Sequence, residues 1–62
     1  IDMTNIRRAT TQEIREHFAQ MDCEVKISEC GAVRFRRLNE AAWLGGRYVE
    51  EYHVIGGVVV RT

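Results

Sequence analysis

Cys23-Glu24-Val25-Lys26-Ile27-Ser28-Glu29-Cys30-Gly31-Ala32-Val33-Arg34-Phe35-Arg36-Arg37 decides the fold. Its side-chain pattern has a period of two. Val25 and Ile27 alternate with Glu24, Lys26 and Ser28, and Val33 and Phe35 alternate with Arg34 and Arg36. That period is the signature of strands with one buried face. Between the runs, Glu29-Cys30-Gly31 fits a three-residue hairpin loop with glycine in the left-handed position. This loop pairs Ile27 with Val33, Val25 with Phe35, Lys26 with Arg34 and Glu24 with Arg36. A loop one residue shorter would set Val25 against Arg36, so the pattern selects the register.

Upstream, Thr10-Thr11-Gln12-Glu13 has the spacing of a helix capping box, in which hydroxyl and carboxylate each take a backbone N–H. Ile14, Phe18 and Met21 follow at i, i+4 and i+7, predicting a helix over 11–21 with one apolar stripe. Residues 1–9 read as a loose lead-in carrying Arg7 and Arg8. Ile1 and Asp2 precede Met3 and read as a remnant ahead of a start there.

Downstream, Gly56-Gly57 suits a tight turn between Tyr48-to-Ile55 and Val58-to-Thr62. It pairs Ile55 with Val58, Val54 with Val59, His53 with Val60 and Tyr52 with Arg61. One face of this second hairpin carries Tyr48, Tyr52, Val54 and Val59. The other carries Val49, His53, Ile55, Val58 and Val60. Residues 38–46 fit either a helical turn stopped by Gly45-Gly46 or a loop that folds Trp43 inward. The expected fold is α+β: an N-terminal helix packed on one mostly antiparallel four-stranded sheet built from two β-hairpins, in a single domain over 1–62.

The chain has 62 residues, and a domain of that size buries only about 60% of the surface its unfolded chain exposes. Such folds often need disulfides, a metal or a partner subunit. Cys23 and Cys30 are separated by a strand of seven steps, roughly 20 Å at about 3.3 Å per residue, whereas a disulfide needs Cα atoms within about 7 Å. Both therefore read as free thiols, and without a signal-peptide pattern the expected location is cytoplasmic. His17, Cys23, Cys30 and His53 match no zinc-ligand spacing, so no metal or other cofactor is expected. No serine sits in a nucleophile elbow and no glycine-rich phosphate loop is present. His53 beside Glu50 and Glu51 could mimic an acid–base pair, but a strand histidine among valines is more simply structural. The expectation is a protein without catalytic residues.

Nine basic residues balance nine acidic ones, so bulk charge draws in neither nucleic acid nor an acidic membrane. Eight of the nine basic residues are arginine, which GC-rich codon usage produces and which bidentate phosphate or carboxylate contacts also select. Lys26, Arg34 and Arg36 share one hairpin face, with Arg37 at its end and only Glu24 opposing. Such a ribbon fits a major groove, with Arg7 and Arg8 as an added arm. A solvated face and an acidic protein partner are the competing explanations. Cys30, at the hairpin tip near Arg34, is read as an ordinary turn cysteine.

One helix covers one face of a sheet, while both faces of the second hairpin are apolar. The expected function is therefore a small protein-binding or regulatory module, self-associating as a dimer through Tyr48, Tyr52, Val54, Val58 and Val60. By size class it is akin to accessory proteins of mobile elements and phages. The alternative is a nucleic-acid-binding regulator using Lys26, Arg34, Arg36, Arg37, Arg7 and Arg8. Neither reading involves a membrane or a small-molecule substrate.

Overall fold

The computed structural model describes residues 6–62, so the reading of Ile1 and Asp2 as a remnant ahead of a start at Met3 lies outside the described residues. The order of elements is β1 (Arg7–Arg8), α1 (Thr11–Gln20), β2 (Cys23–Ile27), β3 (Ala32–Arg37), β4 (Leu44–Tyr48), a 3-10 turn (Val49–Glu51), β5 (Tyr52–Ile55) and β6 (Val58–Arg61). These strands form two three-stranded antiparallel sheets, ordered β2-β3-β4 and β1-β5-β6. The α+β class stands, but the single four-stranded sheet is replaced by two sheets.

The two expected hairpins are present in the expected registers. Val25 lies opposite Phe35 and Ile27 opposite Val33. Val54 lies opposite Val59 and Ile55 opposite Val58. The first loop closes through the Gly31 amide donating to the Ser28 carbonyl at 3.0 Å and the Ser28 amide donating to Ala32 at 3.0 Å. Gly31 has φ +89°, the conformation that fits glycine best.

The sheet divides because the chain breaks where one long strand was expected. Tyr48 ends β4, and the Glu51 carboxylate accepts its backbone N–H at 2.8 Å. That bond holds Val49–Glu51 in a 3-10 turn, and β5 begins only at Tyr52. Residues 38–46 resolve into a connection followed by the start of β4, not a helical turn. β4 sets Arg47 opposite Val33 and Leu44 opposite Phe35, so Gly45 and Gly46 together face the single residue Arg34. This is a β-bulge with Gly46 at φ +91°. A Cβ on Gly45 would stand 2.9 Å from Cγ of Arg34, so the close approach of β4 to β3 needs glycine there.

Residues 7 and 8 belong to no loose lead-in. They form β1 against β5, with Arg7 opposite Val54 and Arg8 opposite His53. The Ala9 amide extends the contact to the Tyr52 carbonyl at 3.0 Å.

The capping box holds as the spacing implies: the Glu13 amide donates to Thr10 Oγ1 at 3.1 Å, and the Thr10 amide donates to Glu13 Oε1 at 3.0 Å. Ile14 and Phe18 are buried, but Met21, just past the last helical residue, is 48% exposed. The stripe therefore has two members. Among the described residues Ile14, Phe18, Val33, Tyr52 and Val54 are the buried apolar side chains; the first four form one cluster, with Val25, Ile27, Phe35, Val49 and Val59 packed around it.

Gly31 joins the hairpin loop to the 3-10 turn, since its carbonyl accepts the Val49 amide at 2.9 Å. A Cβ placed on it would lie 3.1 Å from Cγ2 of Val49. We expect Gly31→Val to lower stability by about 1–3 kcal/mol from backbone strain alone. Gly56→Asn, at φ +59° with nothing within 4 Å of an added Cβ, should cost much less, because asparagine tolerates that conformation. Thermal melts of the two variants test this, and equal melting temperatures would remove the loop's role as a junction.

Candidate interaction surfaces

The outer face of β2-β3-β4, opposite α1, follows from the alternation. Val25, Ile27, Val33 and Phe35 pack inward, so Glu24, Lys26, Ala32, Arg34 and Arg36 point outward. Tyr48, opposite Ala32, joins them and is 50% exposed. Trp43 does not fill the core. Its ring lies 4.3 Å from Nζ of Lys26 and 5.1 Å from Cζ of Arg36. Both cations project from the same face, so the half-buried indole rests across them. Contacts of this kind are worth about 0.5–1 kcal/mol at exposed sites. Arg36 Nη2 donates to Glu24 Oε1 at 2.6 Å. Among the described residues its buried Nε has no hydrogen-bond partner.

Three of the four expected basic residues are thus brought together. Arg37 stands apart: it lies opposite Cys23, and the alternation turns it to the helix side. Arg7 and Arg8 belong to the other sheet. Arg7 makes a two-pronged contact with Glu13, Nη1 to Oε1 and Nη2 to Oε2, both at 2.7 Å.

On β1-β5-β6, Tyr52 and Val54 turn inward and are 4% and 6% exposed. Both lie in the core, not on the outer face. The outer face carries Arg8, His53, Ile55, Val58 and Val60. Val58 is 59% exposed, while Ile55, Val60 and His53 are half-buried. Among the described residues His53 is coupled to no carboxylate: its Nδ1 lies 2.9 Å from Thr62 Oγ1, and Glu51 is taken by the Tyr48 amide and by Arg47 at 3.4 Å.

Cys23 and Cys30 are free thiols, with Cys30 exposed at the hairpin tip. Cys30 Sγ is 3.1 Å from Ser28 Oγ. That hydroxyl, followed by the Ala32 amide, draws the thiol pKa below its ordinary value, while the nearby Glu50 charge opposes the shift. Among the described residues no group of three or more His, Cys, Asp or Glu side chains gathers to hold a metal ion. No described helix is long and apolar enough to cross a membrane.

No protein-family model, no curated protein and no solved structure matches this chain.

The Arg7 contact has a consequence in acid. Glu13 is held down to about 2, first by its hydrogen bonds from Arg7 and then by the Thr10 amide. An unfolded glutamate titrates near 4.3. A carboxylate lowered on folding contributes stability that is fully present above about pH 4.3 and is lost as pH falls through about 2. We expect NMR titration of the Glu13 side chain to show the lowered value in the unmodified chain. It should return toward the ordinary range in Arg7→Ala. An unshifted Glu13 in the unmodified protein would show that β1 does not dock as described.

Proposed function

We propose that the chain is a non-enzymatic protein-binding module that pairs with a second copy of itself through the outer face of β5 and β6. One observation carries the reading. The core side of this sheet is occupied by α1, and Ile55, Val58 and Val60 form a continuous apolar strip on the opposite side, with Val58 59% exposed. Five buried apolar side chains among the described residues are a small core. Fully burying a valine or isoleucine contributes roughly 1.5–3 kcal/mol. A two-fold symmetric pair, the commonest assembly, would cover the strip with the same strip from its partner. The mostly exposed Tyr48 lies on the other sheet and does not belong to this contact.

Sedimentation equilibrium at tens of micromolar should give a species of twice the 7.2 kDa chain mass. Val58→Glu should weaken association at least about tenfold, since a carboxylate would be desolvated in the contact. At dilutions where both are monomeric, the two proteins should melt within about 4 °C of each other. A monomer for the unmodified chain at that concentration overturns the reading.

A second reading, a nucleic-acid-binding regulator, is favoured by Lys26 and Arg36 flanking Trp43 on one sheet face, with Arg34 paired opposite Lys26 on the same face. Cations track a phosphate backbone, and an aromatic ring among them is a stacking platform for bases. The Glu24 contact to Arg36 opposes it, as does a formal net charge of zero. Binding to duplex or single-stranded DNA at low salt should fall steeply as salt rises, and Lys26→Glu with Arg34→Glu should abolish it. No binding by the unmodified chain at about 50 mM salt retires this reading.

A further inference from the structure

β2 is an edge strand in the order β2-β3-β4, and one side of its backbone is unpaired in the sheet. The ladder phase shows which groups face outward. Ser28 donates its amide to Ala32 at 3.0 Å. Bonded pairs alternate along an antiparallel ladder, so Lys26 with Arg34 and Glu24 with Arg36 are also bonded pairs. The N–H and C=O groups of Val25 and Ile27 therefore point away from β3.

An open groove of about 520 Å³ lies along this edge. Arg15 from α1 lines it on the helix side and Lys26 and Arg34 on the outer side, with Val25, Ile27 and Ala32 among them. None of its described lining residues is acidic. It combines a row of free backbone donors and acceptors, apolar side chains and three cations. We propose that it receives an acidic peptide in extended conformation, which adds to β2 as a fourth strand. Main-chain bonds to Val25 and Ile27 would supply affinity, and alternate side chains would supply specificity. Carboxylates on one side of the added strand would face Lys26 and Arg34. The other side would lie along α1, within reach of Arg15.

A nucleic acid would meet the same cations but would leave the Val25 and Ile27 backbone groups unused, so the peptide is the better match. This groove lies on the other sheet from the proposed self-association face, and the two proposals stand or fall separately.

The test titrates the 62-residue chain with a short peptide alternating glutamate and valine, followed by amide NMR and hydrogen exchange. The Val25 and Ile27 amides should shift and gain protection. The same peptide with lysine in place of glutamate should bind about tenfold more weakly or worse. Arg15→Glu combined with Arg34→Glu should produce a loss of similar size, with the thermal melt preserved because both side chains are exposed. Equal affinity for the acidic and basic peptides would overturn the proposal. So would peptide binding that leaves the Val25 and Ile27 amides unprotected, or an oligothymidine that displaces the acidic peptide and binds more tightly.

Discussion

Phe18 is the side chain on which the two sheets converge. Its ring stacks on Phe35 at 4.8 Å with an interplanar angle of 22°, and meets Tyr52 edge-on at 6.1 Å and 71°. Phe35 belongs to β2-β3-β4 and Tyr52 to β1-β5-β6, so one helical residue binds both sheets into a common core. Offset-stacked and edge-to-face aromatic pairs add about 0.5–1.5 kcal/mol beyond the area they bury. The position of Phe18 depends in turn on where α1 starts, and that start is fixed by Thr10 and Glu13. Arg7 grips the same carboxylate from β1. The first strand, the helix cap and the aromatic centre therefore form one chain of dependence, and β5 closes it by pairing with β1.

Both hairpins and the helix were legible in the sequence because each is specified locally. Alternation between residues 23 and 37 admits only one register, and Gly31 and Gly56-Gly57 supply the backbone freedom each turn needs. The division of the sheet was not legible from that alternation. Arg47 to Ile55 has enough β-branched and aromatic residues to read as one strand, and the interruption comes from a single bond, the Tyr48 amide to Glu51. The signal was present as an acidic residue three positions after Tyr48 and four after Arg47, the same spacing logic that marked Thr10 and Glu13. The pairing of β1 with β5 spans more than forty residues and leaves no periodic trace in two residues of arginine.

Trp43 shows why the candidate surface was only partly legible. A lone tryptophan in a small domain is the natural core filler, because its large apolar area has most to gain from burial. Here the Gly45-Gly46 bulge adds a residue to β4 opposite Arg34, and with Leu44 set against Phe35 the ring of Trp43 is delivered to the opposite face. Its partners become Lys26 and Arg36, whose side-chain stems offer apolar surface and whose charged ends favour the ring. The grouping of Lys26, Arg34 and Arg36 followed from alternation alone. The aromatic member arrived through a bulge that sequence spacing did not specify, and Arg37 left the group for the same reason of parity.

Two sheets of three strands present four edges, and unpaired edges invite association with other chains. Two of these are blunted. β1 is only two residues long, and β4 carries the bulge at Gly45-Gly46, which disrupts the regular spacing another strand would need. β2 and β6 have neither device. β6 presents Val58, Val59 and Val60 in succession, and β2 presents five regularly paired residues with no bulge. These two edges border the surfaces where the surrounding side chains have a definite character, an apolar strip beside β6 and a cationic groove beside β2.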